Sequence, residues 1–363
     1  MTTYQLKATT LSPLHIGSGE ELRQDFDFKV FDGRTYRLNV EAILEKYMND
    51  WQRNPKLLPG SLLKEGDLRI PDFWRYDLKG FPRSSKTDAR LQACLKDTYD
   101  RPYLPGSSLK GAIRTALAWT GWQEMQIKFD RSMVGFKRQW AGQKLEQKIF
   151  GNSPNTDLLR ALQISDCFGP EHAGEKLMVV NVQVLTASNA GTPVELEAIS
   201  GDTVFRGTIH IESELFQESF NRKLGFNNRL HWLNELMPRL QAHSKARIDE
   251  LYKWFADNNL LNVANFYSQL SKARLPENQA LIQLGWGTGW DGKTFWTHIQ
   301  KDQPLFSQLV KDFRMQKSSR SGGYNAAVKE FPKSKRLAME IKQGRWSAAA
   351  PLGWVLLEIT PKK

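Results

Sequence analysis

The chain has 363 residues, 40% hydrophobic and 25% charged, which is the composition of a folded chain with room for two modules or for one module carrying large insertions. Lys and Arg total 51 against 39 Asp and Glu, a formal charge of +12 that favours a polyanionic partner. Cys94 and Cys167 are too few and too far apart for a disulfide framework or a Cys-based zinc site. No metal or other cofactor is expected, no apolar run reaches the roughly 18 residues of a membrane span, and the N-terminus lacks a leader pattern. The expectation is a cytoplasmic protein with no membrane partner.

Residues 4–11 alternate and predict a strand ending at Ser12-Pro13, followed by the Gly-punctuated loop Leu14-His15-Ile16-Gly17-Ser18-Gly19. Residues 26–31 and 34–38 flank Asp32-Gly33 and predict a hairpin, and residues 41–48 a short helix. From about 54 to 99, Pro and Gly interrupt every period, which predicts an irregular, partly mobile insertion. Leu104-Pro105-Gly106 then leads into a helix over about 107–119, with Ser107 or Ser108 as its N-cap. Residues 130–152 are basic, and residues 177–185 read as a buried strand. Residues 194–199 and 204–213 flank Gly201-Asp202 and predict a second hairpin. Two or three helices are predicted over 229–272, then the LGWGTGW segment at 284–290 and another helical stretch. A Ser/Gly/Lys-rich linker at 317–323 and a final strand at 354–360 complete the chain. This order is α+β and compatible with ferredoxin-like βαββαβ units. The expected division is a core over 1–228 and a helical region over 229–363 whose last strand returns to the core.

The segment LPGSSLKGAIR, residues 104–114, is the most informative. Gly106 lets a ligand approach the backbone, the first-turn N–H groups carry the positive end of the helix dipole, and Lys110 and Arg114 are spaced i,i+4 on one face. A phosphate fits there; a capped helix with a solvated basic face is the plainer reading. Ile113, Ala116 and Leu117 would face the core. Gly17-Ser18-Gly19 and Gly285-Trp286-Gly287-Thr288-Gly289 match neither a Walker loop nor a dinucleotide fingerprint. Both are either places of close backbone approach to nucleic acid or tight turns. Twelve Trp, several beside cations (Trp74-Arg75, Arg138-Gln139-Trp140, Arg345-Trp346), suit base stacking as well as a core, and their number suggests exposed apolar surface. His15 is a candidate general base or a structural hydrogen-bonding residue. Asp25 and Asp27, in RQDFDF, could orient a ribose hydroxyl or bind a metal for RNA cleavage, or be a solvent-facing pair in a hairpin. No strong enzyme signature is present.

SPLHIGSGEE near the N-terminus, RPYLPGSSLKGAIRTAL some ninety residues later and LGWGTGW near residue 285 together resemble the RAMP superfamily of type III CRISPR effector complexes, most closely its Csm-type subunit that caps the backbone filament near the 3′ end of the CRISPR RNA. The resemblance spans about residues 4–290 and the final strand. It implies a modified ferredoxin-like (RRM-type) core with large insertions, residues 54–99 forming a thumb-like one. It implies binding of guide RNA and its paired target RNA, and assembly with other RAMP subunits and a large polymerase-like subunit. Carried over residue by residue, RNA contacts fall on His15, Gly17, Ser18 and Gly19; on Gly106, Ser107, Ser108, Lys110 and Arg114; and on Gly285, Trp286, Gly287 and Gly289. Asp25 stands nearest to the position of a target-slicing aspartate, although RQDFDF departs from that pattern. The rival within the wider family is a pre-CRISPR-RNA endoribonuclease using His15, against which the PGSSLKGAIR helix speaks. A stand-alone RNA-binding protein is the third reading.

Overall fold

Alternation along residues 2–10 buries Leu6, Ala8 and Thr10 on one side of a strand, and that strand becomes the spine of a sheet. The computed structural model describes residues 2–84, 89–169, 173–186, 193–226, 229–315 and 334–362; the expected linker at 317–323 lies outside them. In chain order the strands are β1 (Thr2–Thr10), β2 (Gly17–Arg23), β3 (Phe28–Phe31), β4 (Arg34–Leu38), β5 (Trp74–Lys79), β6 (Arg90–Cys94), β7 (Tyr103–Leu104) and β8 (Leu162–Ile164). They continue with β9 (Cys167–Phe168), β10 (Leu177–Thr186), β11 (Val194–Ile199), β12 (Val204–Ile211), β13 (Gln279–Gln283), β14 (Ser334–Lys342), β15 (Arg345–Ala350) and β16 (Trp354–Pro361).

One sheet runs β13-β16-β1-β12-β9-β7, with β8 also on β12; the other runs β2-β6-β11-β10-β5-β4-β3, with β14 and β15 extending from β10. The β1 strand lies antiparallel between β12 and β16, pairing Leu6 with Gly207 on one side and Ile359 on the other. The Gly106–Glu124 helix supplies Leu109, Ile113, Ala116 and Leu117 to the core, as the motif predicts. Three helices, Leu230–Asn234, Leu236–Asp257 and Leu261–Lys272, fill the expected 229–272 region. The architecture is mixed α+β, in keeping with a modified ferredoxin-like core.

Four expectations change. The 194–199 and 204–213 segments do not form a hairpin: β11 pairs with β10 and β6, whereas β12 pairs with β1, β8 and β9. Their Gly201-Asp202 turn instead passes the chain between sheets, held by Thr10, whose Oγ1 donates to the Ser200 carbonyl at 2.7 Å and accepts from the Thr203 N–H at 3.0 Å. Within 54–99, Pro and Gly end elements rather than abolish them, because β5 joins the second sheet between β4 and β10, and β6 joins it between β2 and β11. The helix begins at Gly106 with Pro105 as its cap residue, so neither Ser107 nor Ser108 is the N-cap; the Asp166 carboxylate accepts the Gly106 N–H at 2.7 Å instead. After residue 228 the final strand, β16, joins the first sheet as expected, but β13 joins that sheet too, and β14 and β15 join the second.

Of the twelve Trp, only one is exposed. Trp119, Trp122, Trp232, Trp296 and Trp354 are buried, and Trp140 is the exposed one. His298 is sandwiched between Trp119 and Trp122, with ring centroids 4.8 and 5.1 Å away, and His243 meets the edge of Trp119 at 5.7 Å. Burial lowers the pKa of His298 and drives His243 down to about 3, aided there by Arg247. The unfolded chain binds these protons near pH 6.5 and the folded chain does not, so stability falls as pH drops below that value. Buried Glu195 and half-buried Glu250, whose pKa values desolvation raises, act in the opposite sense as carboxylates begin to protonate. Melting temperature measured from pH 7.5 down to 5.5 should decline, and a His243→Leu chain should show a flatter profile; parallel profiles would exclude this histidine as a source.

Candidate nucleic-acid interface

The first and last glycine loops, some 270 residues apart, meet through their backbones. Trp286 N–H donates to the His15 carbonyl at 2.8 Å. A Cβ on Gly285, at φ +73°, would lie 2.3 Å from that same oxygen, so only glycine permits the approach. The C-terminal strand closes the knot: Gly353 N–H donates to the Pro13 carbonyl at 2.9 Å and its carbonyl accepts from Leu284 N–H at 2.7 Å. Gly287, at φ +95°, lies against Leu352, and Gly289, at φ +78°, against the Asp291 carboxylate. Beneath them buried Asp291 pairs with Lys335 and, at 3.9 Å, with Arg247; burial raises its pKa, but the two cations outweigh this and hold it low. Trp286 packs on the Val180–Leu352 cluster below Arg336, and Trp290 edges onto Trp296 at 5.6 Å. The last loop is thus chiefly a turn fitted into the fold.

The first loop is its exposed counterpart. Gly17, Ser18 and Gly19 open β2 at the edge of the second sheet, and a Cβ on Gly19, at φ +90°, would meet no atom within 4 Å. His15, 3% exposed, lies at its base with Nδ1 2.6 Å from the Glu197 carbonyl, and burial lowers its pKa. The Glu197 side chain, fully buried, accepts from Tyr76 Oη at 2.7 Å, from Cys94 N–H at 2.9 Å and from Lys96. Ile16 accepts from Leu95 N–H at 2.7 Å, Gly17 pairs with Cys94, and Lys96 bridges to Pro102, so this edge runs into the lead of the Gly106 helix.

At that helix Gly106 is held tightly, since a Cβ would stand 2.2 Å from the Ile164 carbonyl. Ser107 is exposed, and Ser108 and Lys110 are half-buried. Lys110 and Arg114 do share a face, lining a cleft of about 580 Å³ with Trp140, Asn152, Ser153 and Arg160. Arg114 is already committed: it pairs with Glu146 at 3.0 Å and Asp157 at 2.8 Å and lies 4.2 Å above the Phe150 ring. Lys110 forms no ion pair among the described residues, and burial lowers its pKa. Of the three Trp–cation clusters, Trp74 packs on Tyr36 while Arg75 pairs with Asp100, and Trp346 lies under Arg83; only Trp140 offers an open face.

Asp25 occupies a left-handed turn at φ 61°, its carboxylate 3.4 Å from Lys29 and its backbone pressed against Gly60. Asp27 accepts from Arg23 N–H at 2.9 Å and Arg37 at 3.1 Å. The pair is not solvent-facing; both carboxylates brace the turn into β3. Among the described residues no group of three His, Cys, Asp or Glu is arranged to hold a metal ion. Among the described residues no helix is long and apolar enough to cross a membrane. Sequence reading missed Asp166, Asp157, Glu197 and Asp291, which lie far along the chain from the groups they serve and carry no spacing signal.

The RAMP superfamily model matches residues 7–290, and the chain belongs to that family. Its relatives include the CRISPR system Cms protein Csm5 of Methanocaldococcus jannaschii, 26% identical across 98% of this chain and 89% of the relative. The Csm5 of Streptococcus thermophilus is 30% identical over 32% of this chain and 38% of that protein. Among solved structures, a chain of a cryo-EM Csm–crRNA–target RNA ternary complex of a type III-A CRISPR-Cas system is similar at TM-score 0.74 and 23% identity, covering 99% of this chain and 100% of its own. The crystal structure of T. onnurineus Csm5 follows at TM-score 0.64 and 22% identity, covering 96% and 99%.

The two kinds of loop glycine separate in a denaturation experiment. Gly285→Ala should cost more than about 2 kcal/mol, combining a blocked contact with left-handed backbone strain, whereas Gly19→Ala should cost only about 1 kcal/mol from its backbone. Equal losses would mean that the interlock does not constrain the fold.

Proposed function

We propose that this chain is a CRISPR RNA-binding subunit of a type III effector complex, in the position of the Csm-type subunit that caps the backbone filament. The full-length alignment with a Csm5 protein supports the assignment. The observation that carries the RNA reading is the exposed Gly17–Gly19 loop, anchored through His15 on the interlocked backbone of Gly285 and Trp286. Such a loop lets a sugar–phosphate backbone come close to the main chain at its two glycines, with the Ser18 hydroxyl turned back to the Ala93 carbonyl. The Lys110 cleft with Trp140 at its lip adds a cation and a stacking face. The partners are guide RNA, its paired target RNA, neighbouring RAMP subunits and a large polymerase-like subunit, and the site of action is the cytoplasm. The reading is one of binding: Asp25 and Asp27 are paired within a turn, and His15 is held at the base of the loop with Nδ1 on the Glu197 carbonyl.

The test is binding of the full chain to single-stranded RNA at several salt concentrations. Lys110→Ala should weaken binding and reduce the slope of log K against log salt by about one unit. Arg114→Ala strips Glu146 and Asp157 of their partner and should lower the melting temperature by a few degrees, changing the slope less. An unchanged slope in the folded Lys110→Ala chain would remove this cleft from the RNA path.

A further inference from the structure

The base of the first glycine loop holds a nitrogen with no partner. Nδ1 of His15 faces the Glu197 carbonyl, which can only accept, so Nδ1 carries the proton. Burial keeps the imidazole neutral, outweighing the nearby Glu197 carboxylate. Nε2 is therefore a bare lone pair, and among the described residues nothing donates to it. The ring is oriented by its Nδ1 hydrogen bond to the Glu197 carbonyl and lies perpendicular to Trp286, with ring centroids 6.4 Å apart.

Nε2 is aimed at a gap. A Cβ on Gly17 would stand 3.0 Å from it, and the three atoms nearest that position, beyond the adjoining residues, all belong to the His15 ring. Beyond the adjoining residues no other protein atom comes nearer than 3.9 Å to that position, which lies at an exposed residue and within hydrogen-bond reach of Nε2. A phosphate oxygen is refused there, since it too only accepts. Along an RNA backbone the one group able to donate is the ribose 2′-hydroxyl.

We propose that His15 Nε2, reached through the gap at Gly17, accepts a hydrogen bond from a ribose 2′-hydroxyl and makes this loop selective for RNA over DNA. The inference deepens the guide-binding reading above and rests on it. Gly17 needs no unusual backbone angle; what its missing side chain provides is access to Nε2, from which a Cβ would stand only 3.0 Å away.

The experiment measures affinity of the full chain for three single strands of one sequence: RNA, 2′-fluoro RNA, which keeps the ribose pucker but cannot donate, and DNA. The wild-type chain should bind RNA about five- to tenfold tighter than 2′-fluoro RNA, the worth of one hydrogen bond. Gly17→Ala, which fills the gap, should bind RNA and 2′-fluoro RNA alike while melting within a few degrees of wild type. Equal wild-type affinity for RNA and 2′-fluoro RNA overturns the proposal without need of any variant. So does a discrimination retained by folded Gly17→Ala, or one that follows base identity across sequences. Failure to bind any of the three strands would sink the guide-binding reading itself, and this proposal with it.

Discussion

Everything at the candidate interface depends on the place where the backbone at Gly285 comes against the His15 carbonyl, too close for any side chain. Three distant segments, around residues 12–16, 284–286 and 352–354, exchange main-chain hydrogen bonds there. Closing loops of that length costs conformational entropy, which the pairing of β1 with β16 and of β16 with β13 offsets by building the same junction into a sheet. The result is a rigid floor under a loop that is itself open. A mobile glycine loop would have to be ordered on binding; one fixed at its base needs less ordering.

The second determinant is a set of buried charges that hold this floor in one arrangement. Glu197 receives donors from Tyr76, Cys94 and Lys96, drawn from β5, β6 and the turn after it, while its own carbonyl orients His15. Asp291 does the corresponding work under the last loop with Lys335 and Arg247. Pairs of this kind add little to stability over an apolar core, but loss of one partner leaves a buried charge exposed to no solvent, so they oppose alternative packings strongly.

The net charge of +12 gives a misleading picture of where an anion would bind. Arg34, Arg37, Arg75, Arg114 and Arg239 are each spent on carboxylates of the same chain. What distinguishes Lys110 is the absence of such a partner among the described residues, a property of tertiary placement. The same holds for the tryptophans: neighbours in sequence to arginine, most are neighbours in space to the core, and Trp140 alone keeps an open face.

Local pattern determined a good share of this protein. The strand at β1, the Asp32-Gly33 hairpin, the buried strand β10, the helix after Leu104-Pro105-Gly106 with its apolar face, the three helices after residue 229 and the last strand all follow from periodicity and turn chemistry, which act over a few residues. The three motifs that mark the RAMP family were legible for the same reason, each being contiguous. Only the tertiary structure decided that β11 and β12 part into different sheets, that β5 and β6 emerge from a stretch broken by Pro and Gly, and that β13 to β15 join a region dominated by helices. It decided too that Gly106 is capped by Asp166, that Arg114 is paired, and that His15 turns one bare nitrogen toward Gly17. Pairing partners and ion pairs are chosen by three-dimensional proximity, in the case of β1 and β16 between the two ends of the chain, and no periodicity in the sequence encodes that choice.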